Sequence, residues 1–274
     1  MKIALIQQHA TEDRHGNRER GLDAIDRAAE AGANLACFAE LAFEPFYPQV
    51  PATPERLEPA EPIPGATTEA FAQKAKEHNM VIVLNLFERD GEQTFDSSPV
   101  IDSDGSIRGI TRMVHIAEYA CFHEQGYYAP GDRGAPVYDT AVGRIGIAIC
   151  YDRHYPEYMR ALAVAGARLV ITPQAGAVGE WPDGLYEAEM RVAAFQNGYF
   201  TALCNRVGKE PQLDFAGESF VCNPAGEVIA RAGQGTNEIL TCDIDLTEVD
   251  RSHARQLFLR DRRPELYGEW LSRP

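Results

Sequence analysis

Short apolar, β-branched runs alternate along the chain with longer stretches in which apolar residues recur every three or four positions, and this alternation predicts an α/β fold. Strands are expected at residues 3–6, 35–38, 80–87, 95–101, 107–114, 143–149 and 169–172. Between them, residues 17–31 carry Leu22, Ile25, Ala28 and Ala29 on one helical stripe, and a second helix at 67–78 follows the turn-forming segment PIPGATTE. A third helix should begin near Pro156, a residue suited to a first helical turn, and a fourth should cover 185–197. After Tyr199 the pattern is of strands alone, around 200–204, 218–222, 228–230 and 239–244. Hairpin turns are read at DSDG (102–105) and NPAG (223–226). The polar tail, 251–274, is expected to cross a surface or a partner subunit. With no internal repeat and no low-complexity linker, residues 1–274 read as one domain.

Composition supports a large core: 45% of the 274 residues are hydrophobic and 24% charged. Lys and Arg number 26 against 41 Asp and Glu, a net charge of −15 without a cationic cluster, which argues against nucleic acid or an anionic membrane as partner. The surplus acid is expected on the surface as a solubility device. No stretch approaches the roughly 18 apolar residues of a membrane span. The chain opens directly on an apolar strand without a charged leader, so a cytoplasmic location is expected. The six cysteines lack CxxC spacing, which fits a reducing compartment. No metal or organic cofactor is expected, because the histidines lack ligand spacing and no Gly-rich phosphate loop follows a strand. Lysine occurs only at Lys2, Lys74, Lys76 and Lys209.

Three segments carry candidate chemistry. In GRIGIAICYDRHYPE (143–157) an apolar strand delivers Cys150 to a sharp turn before a helix, where helix amides can stabilise a thiolate and donate to an oxyanion. Taken alone, Cys150 reads at least as well as a small buried hydrophobe. FAELAFEPFYP (38–48) places Glu40 just past a strand among apolar neighbours, an environment that raises a carboxyl pKa and suits a general base or acid. FHEQGYYAPGD (122–132) embeds Glu124 between aromatics in a Gly/Pro-rich loop, where a site role and a surface turn are about equally compatible with the residues.

In this order and in these contexts the three segments resemble the nitrilase superfamily of carbon–nitrogen hydrolases. The resemblance extends from the first strand to RRPELY (262–267) and includes CNRVGKE (204–210) and FAGESFVCNPAGEV (215–228), which are most similar to the branch acting on N-carbamoyl amines and amides. It implies a four-layer αββα sandwich, a homodimer or higher homo-oligomer formed through helices flanking the active site, and exchange of C-terminal tails. It also implies a mechanism. Glu40 accepts the Cys150 proton, the thiolate attacks the carbonyl carbon, Glu40 protonates the leaving amine, and Glu40-activated water releases the acyl or carbamoyl group, with Glu124 positioning groups.

One position departs from the family pattern. The family carries a lysine in the strand before the second glutamate, where this chain has TRMVHI (111–116), with Met113 at the lysine position. The family lysine and the N–H after the cysteine, here that of Tyr151, hold the oxyanion, and losing one such donor costs about 2.7–4 kcal/mol in other oxyanion holes. Strand periodicity puts Met113 and His115 on one face and Arg112 on the other, so His115 is a candidate replacement, although the family's own histidine there is a structural hydrogen-bonder. Arg153 matches an arginine that binds the substrate carboxylate in relatives acting on carbamoyl amino acids; a structural ion pair with Asp152 is the competing reading. His154 is another cation within reach, and Trp181, in the loop 172–184, and Tyr47 are candidate aromatic walls of the pocket. The expected activity is thus a cysteine hydrolase of small linear amides or N-carbamoyl compounds with an atypical oxyanion site. The alternatives are a non-catalytic ligand-binding or regulatory protein and an acyl-transfer enzyme on the same fold.

Overall fold

The computed structural model describes residues 1–272. Its elements begin with β1 (Lys2–Gln7), α1 (Arg14–Glu30), β2 (Leu35–Phe38), α2 (Ala66–His78), β3 (Val81–Val83), β4 (Leu86–Asp90), β5 (Gln93–Ile101) and β6 (Ile107–Arg112). The second half contributes β7 (Val137–Thr140), β8 (Gly143–Ile147), α3 (Pro156–Val164), β9 (Leu169–Gln174), α4 (Leu185–Asn197) and β10 (Phe200–Asn205). It continues with β11 (Phe220–Cys222), β12 (Val228–Arg231), β13 (Glu238–Asp243) and α5 (Pro264–Leu271).

Two mixed sheets result. One runs β13-β1-β2-β3-β5-β4 with β6 also paired to β5, and the other runs β12-β11-β10-β9-β8-β7. Each has three adjacent parallel strands, β1-β2-β3 and β8-β9-β10, with antiparallel strands outside them. Because both faces of these strands are covered, they read as continuous apolar runs, yet their alternation sorts side chains between layers. Ile3, Leu5 and Cys37 join Ile145, Ile147, Leu169 and Ile171 in the core between the sheets. Ala4, Ile6 and Phe38 pack outward with Ile25 of α1 and Phe71 of α2. Val170 and Leu203 pack with Leu162 of α3 and Met190 of α4. Three apolar interlayers separate four layers, the αββα sandwich expected from the resemblance.

Some boundaries differ from the pattern-based ones for identifiable reasons. Helix α1 starts upstream of residue 17 because the Asp13 carboxylate accepts from Gly16 N–H at 3.0 Å and caps the helix. Residues 80–87 are not one strand: the chain leaves the ladder between β3 and β4, and Asn85 there turns its side chain inward. Strand β7 was masked by its charged and glycine-rich surroundings, and it pairs antiparallel to β8. Helix α4 spans the predicted residues, bracketed by Gly184 and by Gly198, whose φ of 66° ends the helix in the left-handed region. The tail is not featureless: Ala254–Phe258 forms a wide helical turn whose Phe258 ring meets Phe195 of α4 at 5.5 Å, and α5 follows it. Arg273 and Pro274, which complete the expected tail, lie outside the described residues. No helix among the described residues is long and apolar enough to cross a membrane.

Candidate active site

The two sets of parallel strands bring their C-terminal ends to a common edge, the usual place for a site in α/β sheets. Glu40 lies just beyond β2, Cys150 just beyond β8, and Glu124 at the start of a one-turn helix, Glu124–Gly126. One oxygen from each carboxylate and the Cys150 Sγ all lie within 4.8 Å of one another. Both glutamates are fully buried and Cys150 is 5% exposed. This trio is also the sole group among the described residues whose Asp, Glu, His and Cys donors converge closely enough to hold a metal ion.

The backbone is bent to make this meeting possible. Cys150 opens the one-turn helix Cys150–His154 with φ of 40°, and Leu41, beside Glu40, has φ of 45°. For residues other than glycine the left-handed region costs about 1–2 kcal/mol, so surrounding contacts must hold both turns. Around Glu40, Leu41 N–H donates to Asn85 Oδ1 at 2.8 Å, while the buried Arg206 guanidinium donates to the carbonyls of Glu40, Leu41 and Glu44 and pairs with Glu210. Around Cys150, Arg153 Nη1 donates to the Cys150 carbonyl and to Gln174 Oε1, each at 2.8 Å.

Asp96 of β5 is a third buried carboxyl group beside Glu40 and Glu124. Its side chain meets that of Glu40 and accepts from Asn85 Nδ2. Burial and mutual repulsion keep protons on this group. Burial, then the charges of Asp96 and Glu124, push the Glu40 carboxyl well up, against the opposing contact with Cys150. Burial and Asp96 do the same to Glu124, which is offset in part by Ala117 N–H donating to it at 3.1 Å. Asp96 is pushed up to about 7 by burial, with its contacts to Glu40 and Asn85 opposing. The Cys150 thiol is raised by burial and by Glu40 and Glu124, and Arg153 opposes them.

Hydrogen-bond satisfaction shows the same imbalance. Both oxygens of Glu40, Oε1 of Glu124, Oδ2 of Asp96 and the Tyr128 hydroxyl are buried without a fixed donor or acceptor. A single proton between Glu40 and Asp96 can serve that pair, since two carboxylates in contact bond only when one is protonated. Among the described residues no lysine or arginine bonds to any of these three acids. Lys209 extends outward, 84% exposed, toward Asp214.

The other sequence candidates fall in several places. Met113 is 1% exposed and shares the inter-sheet core with Cys150. Its N–H donates to the Asp96 carbonyl at 2.9 Å, continuing the pairing of Arg112 with Ser97, so Met113 stands directly opposite Asp96 on the neighbouring strand. Arg112 points the other way, as expected, into a cluster with Glu88, Asp90 and Asp132.

His115 does not continue the Met113 face. Strand β6 ends at Arg112, and the chain turns because the N–H groups of Val114 and His115 both donate to the Asp152 carboxylate. His115 Nδ1 lies 2.7 Å from the same carboxylate, with its ring stacked on Tyr155 at 3.4 Å. The expectation of a shared face therefore fails, and this geometry is that of a structural hydrogen-bonder. Arg153 does not pair with Asp152 but lies 3.2 Å from Glu189, while its Nη2 is buried without a partner. His154 meets Glu189 at 2.6 Å. Tyr151, His154 and Trp181 form an aromatic group with Tyr119, whereas Tyr47 stands apart with its hydroxyl on Glu44 and its ring against Phe87.

Sequence reasoning did not single out Asp96, Asn85, Arg206, Tyr128 or Glu180. Glu180 accepts from the Tyr119 hydroxyl at 2.6 Å and from the Tyr186 hydroxyl, tying the loop after β9 to the aromatic group. Clefts of about 510 Å³, lined by Gln8, His9, Arg20, Arg27 and Glu238, and of about 540 Å³, lined by Tyr186, Asn205, Glu218 and Arg231, contain none of the trio.

A four-layer α/β sandwich with a buried thiol between two carboxylates at the strand ends defines a class of cysteine-centred α/β proteins. The chain belongs to the carbon–nitrogen hydrolase family, whose profile matches residues 2–254, and it is an enzyme of that family. It is 33% identical to an N-carbamoylputrescine amidase of Solanum lycopersicum over 97% of this chain and 93% of that protein. A carbon–nitrogen hydrolase from Helicobacter pylori G27 superposes with a TM-score of 0.93 at 29% identity, covering 100% of this chain and 99% of that one. A glutamate-to-glutamine mutant of the amidase from Nesterenkonia sp. AN1, showing covalent addition of the acetamide moiety of fluoroacetamide at the active site cysteine, superposes with a TM-score of 0.81 at 28% identity, covering 98% of this chain and 96% of that one.

Proposed function

We propose that this chain, acting as one carbon–nitrogen hydrolase unit, cleaves the C–N bond of small linear amides or N-carbamoyl compounds through a thioester on Cys150. The convergence of the Cys150 Sγ with Glu40 and Glu124 within 4.8 Å carries the reading. Glu40, in contact with the thiol, takes its proton and returns it to the departing amine, and the raised carboxyl pKa suits that exchange. Water activated by Glu40 then releases the acid or carbamate and restores the thiol. Glu124, fixed by Ala117 N–H, holds the reacting groups in place.

The oxyanion site is atypical. The Tyr151 N–H, at the start of the one-turn helix, is the family-type donor, while the position of the family lysine is taken by the apolar Met113. Arg153 Nη2, buried and unpartnered, supports a role in binding a substrate carboxylate, as in ureido acids, with His154 and Trp181 forming the wall beside it. The exposed Val192 and Phe195 of α4 and Leu257 and Phe258 of the tail support a homodimer through this face, which light scattering would reveal as twice the chain mass.

The test of the catalytic reading is intact-protein mass spectrometry with fluoroacetamide, followed by turnover of amides and ureido compounds. A single adduct on wild type that is absent from Cys150→Ala, together with complete loss of turnover in that variant, is the expected result. Undiminished turnover by Cys150→Ala would refute the reading.

A further inference from the structure

The reacting centre has an excess of acceptors. Glu40, Glu124 and Asp96 present four buried carboxylate oxygens without partners, and among the described residues no lysine or arginine bonds to any of the three. An independent group points the same way: the Tyr128 hydroxyl, 4% exposed and unpartnered, stands in the field of the same three acids. Unpartnered donors also lie nearby, on Arg153, His154, Gln174 and Trp181, and the Arg153 charge favours the Cys150 thiolate, but none of these groups bonds Glu40, Asp96 or Glu124.

A neutral amide brings one carbonyl oxygen that needs donors and at most two N–H groups. A planar amidinium or guanidinium brings at least four N–H donors, a positive charge and no acceptor. Buried unpaired carboxylates are costly, and a cation of matching shape removes that cost while forming charge-assisted hydrogen bonds. Nor would its reaction develop an oxyanion, so the apolar Met113 opposite Asp96 would leave no charge unserved.

We infer that the carboxylate cage of Glu40, Asp96 and Glu124 around Cys150 accepts amidinium or guanidinium groups as reacting centres and hydrolyses them, in preference to neutral amides of the same size. This rests on the assignment of Cys150 as nucleophile and Glu40 as base, and extends it to a second substrate class.

The chemistry balances with water alone. Glu40 takes the Cys150 proton, and the thiolate forms a C–S bond to the amidinium carbon, giving a neutral tetrahedral diamine. Glu40 returns the proton to one nitrogen, which leaves as ammonia, and the lone pair of the other nitrogen forms a cationic thioimidate. Water adds to that carbon as Glu40 accepts its proton. Collapse breaks the C–S bond, the hydroxyl proton passes to the sulfur, and a neutral amide leaves. The proton remaining on Glu40 goes to the ammonia, so amidinium and water become amide and ammonium. Because burial and mutual repulsion favour the protonated acids in the empty site, binding of the cation releases their protons to solvent before the chemistry, and Asp96 and Glu124, ionised beside it, hold it in plane.

The test compares two isosteric alkylating agents, chloroacetamide and chloroacetamidine, each of which forms a C–S bond at Cys150 and expels chloride. Labelling rates are read by intact mass and normalised to each reagent's rate with free cysteine. Hydrolysis of acetamidine and acetamide, read as ammonia release, accompanies them. The amidine member of each pair is expected to react roughly tenfold faster or more, the least that one charge-assisted hydrogen bond would supply. Asp96→Asn should erase the preference, read as the ratio of the two reagents' normalised rates within the variant whatever its absolute labelling rate.

Equal or slower reaction of the amidines in wild type would overturn the inference and leave the nucleophile assignment standing. Failure of both reagents to label native Cys150, while the unfolded chain is labelled, would overturn both. A preference undiminished in Asp96→Asn would overturn the role of the cage. The wild-type ratio decides the substrate class by itself, so the outcome does not depend on how well the variant folds.

Discussion

Replacing Asp96 with asparagine should stabilise the protein, and only where the pH ionises the wild-type carboxyl. The folded Asp96 is pushed from 3.8 to about 7, so the folded state holds its proton more tightly than the unfolded chain does. For an acid shifted in this direction, stability is highest below the unfolded pKa and falls as pH rises toward the folded one, because ionisation is then free in the unfolded chain and costly in the fold. Two-state linkage with those values gives a penalty on the order of 4 kcal/mol at pH 8 and less than about 1 kcal/mol at pH 4. Asparagine keeps an oxygen to accept from Asn85 Nδ2 and adds an amide that can donate to Glu40, so the substitution leaves the local bonding intact and removes the buried charge. With an unfolding entropy of about 2.1 cal/mol/K per residue over the chain length, 4 kcal/mol corresponds to a rise in midpoint of about 7 °C at pH 8. Urea or thermal denaturation of wild type and Asp96→Asn at pH 4, 6 and 8 measures it. A gain at pH 8 no larger than at pH 4, or a loss at both, would refute the picture of Asp96 as an unpaired charge. The same variant should lower the Glu40 pKa, since the charge of Asp96 ranks next after burial among the causes that raise it, and so move the acid limb of any pH–rate profile to lower pH.

Two further substitutions test the surroundings. Met113→Lys puts an ammonium on the strand opposite Asp96; neutral-amide turnover should rise by roughly 10²-fold and any preference for amidines should disappear. Unchanged or reduced amide turnover in a folded Met113→Lys would mean that the pocket is built around the methionine. Arg112→Leu, on the opposite face of the same strand, should cost about 3–5 kcal/mol in denaturant unfolding, because it leaves the buried Glu88 unpaired, whereas Asp90 and Asp132 are exposed and add little. A loss below about 1 kcal/mol would show that water reaches Glu88 easily.

Much of the framework was readable because apolar periodicity reports which faces are covered, and in this fold nearly every strand is covered on both. Strands with continuous apolar runs and helices with caps or flanking glycines were found within a few residues. Strand β7, the break at Asn85 and the end of β6 were not, because each depends on tertiary partners. His115 illustrates the limit. A period of two places it beside Met113, but Asp152, 37 positions away in sequence, captures two successive N–H groups and ends the strand before the period can apply. Glu40 and Cys150 lie in local contexts that suggest a turn at a strand end, but the Gly/Pro-rich loop of Glu124 fits a surface turn equally well and Cys150 alone fits a buried hydrophobe, so the three were legible as one set only through the resemblance of their segments to a family.

Asp96 was not legible, since within TFDSSPV it shares the face of Thr94 and Ser98 and so reads as part of a polar, solvent-facing strand surface. What makes it chemical is its register. Pairing of β5 with β4 and β6 sets it between Phe87 and Met113, two apolar side chains, on the face that looks toward Glu40. A shift of one residue would put Ser97 there and turn Asp96 toward the Arg112 cluster, where its charge would be neutralised. The surplus of buried acid at the reacting centre is therefore a consequence of strand register, and the reactivity that follows from it, whether toward amides or toward cationic carbon–nitrogen groups, is decided by contacts across the sheet that no single segment of the chain contains.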